Sequence, residues 1–247
     1  MSLEKRRVLT GPTKKAKPSL RWTGDDDRRD PQNVCEAKFW GGRVAGRTRP
    51  GYNSTEPVRG YTKLSDAARA FGFDFRDKTV LDIGSSTGGF TKYALDHGAK
   101  KVIAIEKGTN QMMSPLRYDK RIDLHEKTDI FDLKLEPRSI MQSAPDIIVA
   151  DVSFISLKKI LKHASLYLTD KHTNYLVMMK PQFEARPNQL NRGVVKNEAM
   201  RRNIIKDFEY WLKQNGFVVV KKRDNELTGK TGNKERFYWL LNIKSNN

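Results

Sequence analysis

The chain has 247 residues, 37% of them hydrophobic, enough for one sizeable α/β domain with an appendage. Its 47 lysines and arginines against 29 aspartates and glutamates leave a formal charge of +18, which points to a polyanionic partner, nucleic acid first, and to binding that weakens with salt. No apolar run is long enough to cross a bilayer, the charged N-terminus lacks a signal-peptide core, the single Cys35 excludes an intramolecular disulfide, and four histidines without cysteine partners argue against structural zinc, so a cytoplasmic protein without a metal or a membrane contact is expected.

Residues 1–58 are rich in Lys, Arg, Gly, Pro and Asp and follow neither a helical nor a strand period, which predicts a basic N-terminal arm. Within it Lys14-Lys15-Ala16-Lys17, Arg43, Arg47 and Arg49 interleave with Trp22, Phe39, Trp40 and Tyr52. That mixture suits phosphate contact and base stacking, or else aromatic pinning of the arm to the main domain. Asp25-Asp26-Asp27 reads as a solvated turn, because three adjacent carboxylates diverge and no ligand series follows.

From about residue 59 the pattern alternates between helix and strand. Lys63 to Phe71 is amphipathic, with Leu64, Ala67, Ala68 and Phe71 on one face. Strands are predicted at Thr79 to Ile83, Lys101 to Ile105, Ile122 to Glu126, Asp146 to Ala150, Tyr175 to Met179, Phe217 to Lys221 and Phe237 to Ile243, and further helices at Phe90 to Asp96, Ser156 to Tyr167 and Asn197 to Asn215. Such alternation predicts an α/β fold with a mostly parallel sheet covered on both faces. The connection Arg223 to Arg236 is too short for a helical crossover, so the last two strands must pair antiparallel at one side.

The first strand runs directly into Gly84-Ser85-Ser86-Thr87-Gly88-Gly89-Phe90, a glycine-rich turn that opens a helix. Here the main chain can approach a ligand closely, and the N–H groups of the helix start favour an anionic group. The second strand ends in Glu106, whose carboxylate can accept hydrogen bonds from a ribose diol, and Asp129 follows the third strand, placed to bind an adenine amino group or simply to cap a turn. Together the glycine turn and Glu106 specify an adenosine-bearing cofactor. The spacing is not the G-x-G-x-x-G of nicotinamide enzymes.

The fourth strand delivers Asp151 at its carboxyl end and the fifth delivers Lys180, at the edge where ligands sit in open α/β sheets. Asp151 alone is equally well explained as a helix cap, whereas a lysine closing an apolar strand is harder to assign to solvation. Two opposite charges on neighbouring strand ends can hold each other in place. The word Asp151-Val152-Ser153-Phe154 lacks the paired prolines used by base-amine methylating enzymes, so a hydroxyl acceptor fits better.

Asp82-Ile83-Gly84-Ser85-Ser86-Thr87-Gly88-Gly89-Phe90-Thr91, Ala150-Asp151-Val152-Ser153-Phe154-Ile155-Ser156-Leu157, Lys180-Pro181-Gln182-Phe183-Glu184, Gly193-Val194-Val195 and Gly232-Asn233-Lys234-Glu235 resemble, in this order, the TlyA or haemolysin A-like members of the FtsJ-like S-adenosylmethionine-dependent ribose methyltransferases. The resemblance runs from about Arg59 to the C-terminus. It implies a class I methyltransferase sheet of seven strands with the last antiparallel, S-adenosylmethionine as cofactor, and 2′-O-methylation of RNA, ribosomal RNA or a ribosomal subunit above all. It also implies a Lys-Asp-Lys-Glu tetrad, matched here by Lys63, Asp151, Lys180 and Glu235, and a cofactor site of Asp82, Gly84, Ser85, Ser86, Thr87, Gly88, Gly89, Phe90, Glu106, Asp129 and Asp151. Tyr61 stands where the entry word of the family has a second glycine.

The implied chemistry is consistent with these residue types. A ribose 2′-hydroxyl must lose its proton as it attacks the sulfonium methyl; Lys180 would accept that proton or stabilise the oxyanion, and Asp151 and Glu235 would orient the two lysines. TlyA-type proteins carry an S4 RNA-binding domain ahead of this domain, and residues 1–58 do not read as one. The chain is thus either a catalytic-domain fragment or uses another RNA-binding element. A non-catalytic RNA-binding protein with a retained cofactor pocket, and a membrane-active haemolysin, are the competing readings.

Overall fold

The computed structural model describes residues 59–226 and 232–243. The basic arm expected over residues 1–58 lies outside the described residues. In chain order the elements are α1 (Arg59–Phe71), β1 (Thr79–Ile83), α2 (Gly89–Asp96), β2 (Lys101–Glu106), β3 (Ile122–Glu126), β4 (Ile147–Ala150), α3 (Leu157–Tyr167), β5 (Asn174–Met179), α4 (Pro181–Glu184), β6 (Leu190–Asn191), β7 (Val194–Val195), α5 (Glu198–Gln214), β8 (Phe217–Asp224) and β9 (Arg236–Asn242).

Helix ends follow local chemistry. Ser156 and Asn197 precede α3 and α5 as N-caps, their side chains accepting from the N–H groups of Lys158 and Met200. Helix α1 begins at Arg59, four residues before the amphipathic stretch suggests, and so brings Lys63 inside the helix with Leu64, Ala67, Ala68 and Phe71 on the buried face.

Seven strands form one sheet in the order β3-β2-β1-β4-β5-β9-β8. Strands β1 to β5 are parallel, and β9 runs antiparallel to both β5 and β8. The expected hairpin is present, with β9 inserted between β5 and the edge strand. Side-chain character explains that order. Phe237, Tyr238 and Leu240 of β9 are buried on alternating faces, as an inner strand requires, whereas β8 exposes Val218, Val220 and Lys222 as an edge strand tolerates.

Alternate residues of the strands feed two cores. Leu81, Ile83, Ile103, Ile105, Ile148 and Val177 pack with Ile160, Leu161, Ile204 and Phe208 of α3 and α5. Val80, Val102, Ala104, Val149 and Leu176 pack on the other face with Leu64, Ala68, Tyr93 and Ala94 of α1 and α2. No α-helix lies between β2 and β3 or between β3 and β4; 3-10 turns at Leu116–Tyr118 and Ile130–Asp132 occupy those connections. The carboxyl ends of the parallel strands therefore form an open edge on which the sequence-predicted residues collect.

Candidate active site

Strand order reverses beside β1, which has β2 and β3 on one side and β4 and β5 on the other, so the turn after β1 stands at the crevice where open α/β sheets take ligands. The turn is tied down: the N–H groups of Gly84 and Ser85 donate to Ile105 O at 2.9 and 3.2 Å. Gly84 has φ +80°, and a Cβ there would lie 3.3 Å from the carbonyl oxygen of Asp151. Its glycine is required both by the backbone angle and by the narrow approach between the β1 and β4 ends. Gly88 is the N-cap residue of α2. A Cβ on Gly89 would stand 2.8 Å from the Tyr61 nitrogen, so the start of α2 lies directly against α1. Ser86 and Thr87 are exposed on the turn, while the Phe90 side chain is buried, 6.1 Å from the Phe237 ring, leaving its backbone as the part that faces the crevice.

Asp82 is wholly buried at the base of the turn. Thr91 Oγ1 donates to its Oδ2 at 2.6 Å, and its Oδ1 has no hydrogen-bond partner among the described residues. Burial, opposed by hydrogen bonding from Thr91 and reinforced by the nearby Asp151 charge, pushes this carboxyl up to about 7. The buried Ser85 Oγ is likewise without a partner. A buried acceptor, a hydroxyl and a glycine cradle over a helix start fit a ligand that presents a cationic group and a carboxylate together, as the methionine end of S-adenosylmethionine does.

Glu106 accepts from the N–H of Ser86 at 2.9 Å and of Gly108 at 2.6 Å, and thereby fastens the glycine turn to the end of β2. A carboxylate has acceptor capacity beyond two bonds, so the ribose role predicted for it is compatible with this anchoring. Asp129 caps the 3-10 turn by accepting from Phe131 N at 3.2 Å and pairs with Lys107 at 2.8 Å. Those contacts hold its carboxyl below the usual range, the Lys107 hydrogen bond first. The capping alternative weighed from the sequence is thus present at Asp129, whereas at α3 the cap is Ser156 and Asp151 is left for other work.

Four ionisable side chains meet as two ion pairs. Lys180 Nζ lies 2.6 Å from Asp151 Oδ1 and donates to Ser153 Oγ at 2.8 Å. Lys63 Nζ lies 2.6 Å from Glu235 Oε2, both side chains at least 92% buried, with exposures of 8% and 4%. The sheet brings the pairs together. Met179 faces Arg236 across β5 and β9, so extending that antiparallel register by one residue sets Glu235 opposite Lys180. On the other side, the Asp151 N–H donates to Ile83 O at 3.3 Å, joining the end of β4 to the glycine turn. Lys63, the position with the altered entry word, belongs to the cluster.

Several supporting residues carried no role in the sequence reading. Glu184 reaches from α4 to the start of α3, accepting from Ser156 Oγ at 2.7 Å and Leu157 N at 2.6 Å; burial pushes its carboxyl up. Asn225 donates through its backbone to Glu235 O at 2.8 Å and through its amide to Glu235 Oε2 at 3.4 Å. Arg201 on α5, itself buried, donates to Lys234 O and Asp224. Phe154, adjacent to Ser153, is 93% exposed with φ +64°, its ring 5.4 Å from that of Phe183. The words Asp151-Val152-Ser153-Phe154 and Lys180-Pro181-Gln182-Phe183-Glu184 contained the signal for Ser153, Phe154 and Glu184. The roles depend on contacts between distant segments. Among the described residues no group of three His, Cys, Asp or Glu side chains could hold a metal ion, and no helix is long and apolar enough to cross a membrane.

Residues 57–242 match the FtsJ-like methyltransferase family. The chain belongs to that family. It is 34% identical over 186 residues to the 23S rRNA (cytidine-2′-O)-methyltransferase TlyA of Campylobacter jejuni, covering 74% of this chain and 70% of that one. Over 174 residues it is 36% identical to the hemolysin A of Brachyspira hyodysenteriae, with 70% and 71% of the two chains covered. Among solved structures, a candidate hemolysin from Lactococcus lactis superposes with a TM-score of 0.70 at 35% identity, over 74% of this chain and 87% of that one. These matches bear out the family, the class I methyltransferase fold and the S-adenosylmethionine-dependent activity expected from the sequence words.

Proposed function

We propose that this FtsJ-like methyltransferase modifies a ribose 2′-hydroxyl of ribosomal RNA, with Lys63, Asp151, Lys180 and Glu235 as the catalytic tetrad. The observation that supports this most directly is the paired arrangement of two lysines and two carboxylates at the carboxyl edge of the sheet, next to the glycine turn. The Campylobacter jejuni relative is a 23S rRNA (cytidine-2′-O)-methyltransferase, which agrees with this reading.

S-adenosylmethionine supplies a methyl group already activated by positive sulfur. Asp82, Ser85, the backbone of Gly84 to Phe90 and Glu106 are the groups that would hold it, with Asp129 beside the adenine end. The protein has then to align the hydroxyl and manage its proton. Lys180, held by Asp151 and Ser153, has a further N–H to offer the acceptor oxygen as negative charge develops, and the hydroxyl proton passes to the carboxylate of Asp151. Glu235, fixed by Asn225, anchors Lys63 as the second cation of the cluster. Phe154 offers an aromatic face with a solvent-exposed ring, suited to stacking on the base of the acceptor nucleotide. The partner is ribosomal RNA, free or in a subunit, and the place of work is the cytoplasm.

Lys180→Ala is expected to abolish methyl transfer from labelled S-adenosylmethionine to ribosomal RNA while leaving cofactor affinity by calorimetry intact. Retained turnover would contradict the tetrad. A non-catalytic RNA-binding protein would instead show no transfer in the unaltered chain.

A further inference from the structure

We propose that Arg192, on the tip of the β6–β7 hairpin, binds an RNA phosphate and anchors the acceptor strand beside Glu235. The inference rests on the RNA-modifying role above and adds the place of contact. Pairing of Leu190 with Val195 and Asn191 with Val194 leaves only Arg192 and Gly193 in the turn. Both have left-handed backbone angles, φ +47° and +81°, the geometry that a two-residue hairpin needs and that Asn-Gly satisfies best. An arginine at the first position is a poor choice for the turn itself. Among the described residues a Cβ added to Gly193 would meet nothing within 4 Å, so the tip stands clear of them.

The hairpin is nevertheless held rigidly to the catalytic edge. Val195 N donates to Asn233 Oδ1 at 3.0 Å, and Asn233 Nδ2 donates to Gly193 O at 3.1 Å. Asn233 is 3% exposed and only two residues from Glu235. On the far side, Lys196 N donates to Gln189 O at 3.1 Å. Arg192, Lys196 and Lys234 are all exposed around this junction. Glu198 approaches Lys234 at 3.6 Å and Arg201 at 3.8 Å, whereas Arg192 and Lys196 have no acidic partner among the described residues. A turn that sacrifices its favoured residue to present an unpaired guanidinium, clamped next to a catalytic carboxylate, suits a planar fork meeting phosphate oxygens.

The test uses the full chain with protein-free ribosomal RNA, measuring affinity across salt concentrations for the unaltered chain, Arg192→Asn, and Lys171→Gln, a charge loss at the opposite edge of the sheet. Arg192→Asn is expected to melt no lower than the unaltered chain, since asparagine suits the turn, and to keep its affinity for S-adenosylhomocysteine. It should bind RNA more weakly, with a log–log salt slope shallower by about 0.7, the increment for one phosphate on a single strand, and raise KM for RNA more than it lowers kcat. Lys171→Gln should match the unaltered chain. Unchanged RNA affinity and slope in Arg192→Asn would overturn the proposal, as would a lower melting temperature accompanying the binding loss. An unaltered chain with no salt-dependent RNA binding would remove the RNA-modifying role as well, which distinguishes the two failures.

Discussion

The Asp82 carboxyl is deprived of solvent, satisfied at one oxygen by Thr91 and without a partner among the described residues at the other. Its ordinary value of 3.8 is raised to about 7, chiefly by burial. The folded state therefore holds this proton more tightly than the unfolded chain does. Its stability contribution is intact below about pH 4, is lost as pH rises through about 7, and levels off at a cost of about 4 kcal/mol above that. Asp82→Asn is expected to flatten the melting temperature of the ligand-free protein between pH 4 and 7, raise it at pH 8, and weaken S-adenosylhomocysteine binding. Thermal melts across pH with and without that ligand check this; an unchanged pH slope in the variant would show that Asp82 is not the titrating group. The sequence placed Asp151 and Lys180 at strand ends because apolar runs mark where strands stop. It did not reveal that Thr91 would cover one oxygen of Asp82, or that the Phe90 ring would turn into the core, because both depend on how α2 lies on the sheet.

Among the elements, the short α4 shapes the site although it has only four residues. Glu184 joins it to the cap of α3, and so fixes the C-terminal end of the segment that carries Asp151, Ser153 and Phe154. Glu184→Ala leaves the Ser156 hydroxyl and the Leu157 N–H without their acceptor, a loss of about 1–3 kcal/mol, and is expected to lower kcat while sparing S-adenosylmethionine affinity. Glu184→Gln retains an acceptor oxygen and should recover most of both. Denaturant melts and single-turnover rates on the two variants decide it; equal behaviour of Ala and Gln would argue against the positioning role. The strands of the sheet were legible as elements, and so was the terminal hairpin, since its connection is too short for a crossover. Which of its two strands would pair with β5 was not, because the deciding difference is two-sided burial of Phe237, Tyr238 and Leu240 against the exposed faces of β8. The β6–β7 hairpin has two residues per strand and leaves no periodicity to detect, although the word Gly193-Val194-Val195 marked its position.

For the molecule as a whole, the sheet order turns separate sequence words into one site. The switch beside β1 puts the glycine turn in the crevice, and the placement of β9 next to β5 brings Glu235 from the far end of the chain to Lys180. The chain's formal charge of +18 favours a polyanionic partner, and the proposed tetrad would act on the strand so bound. Because a 2′-O-methyl group removes the hydroxyl that alkali uses to cleave the neighbouring phosphodiester, the central claim has a direct chemical readout. Ribosomal RNA or subunits methylated with labelled S-adenosylmethionine, then hydrolysed in alkali and separated by size, should carry the label in alkali-resistant dinucleotides. Label recovered in mononucleotides, as a base methylation would give, would contradict the account.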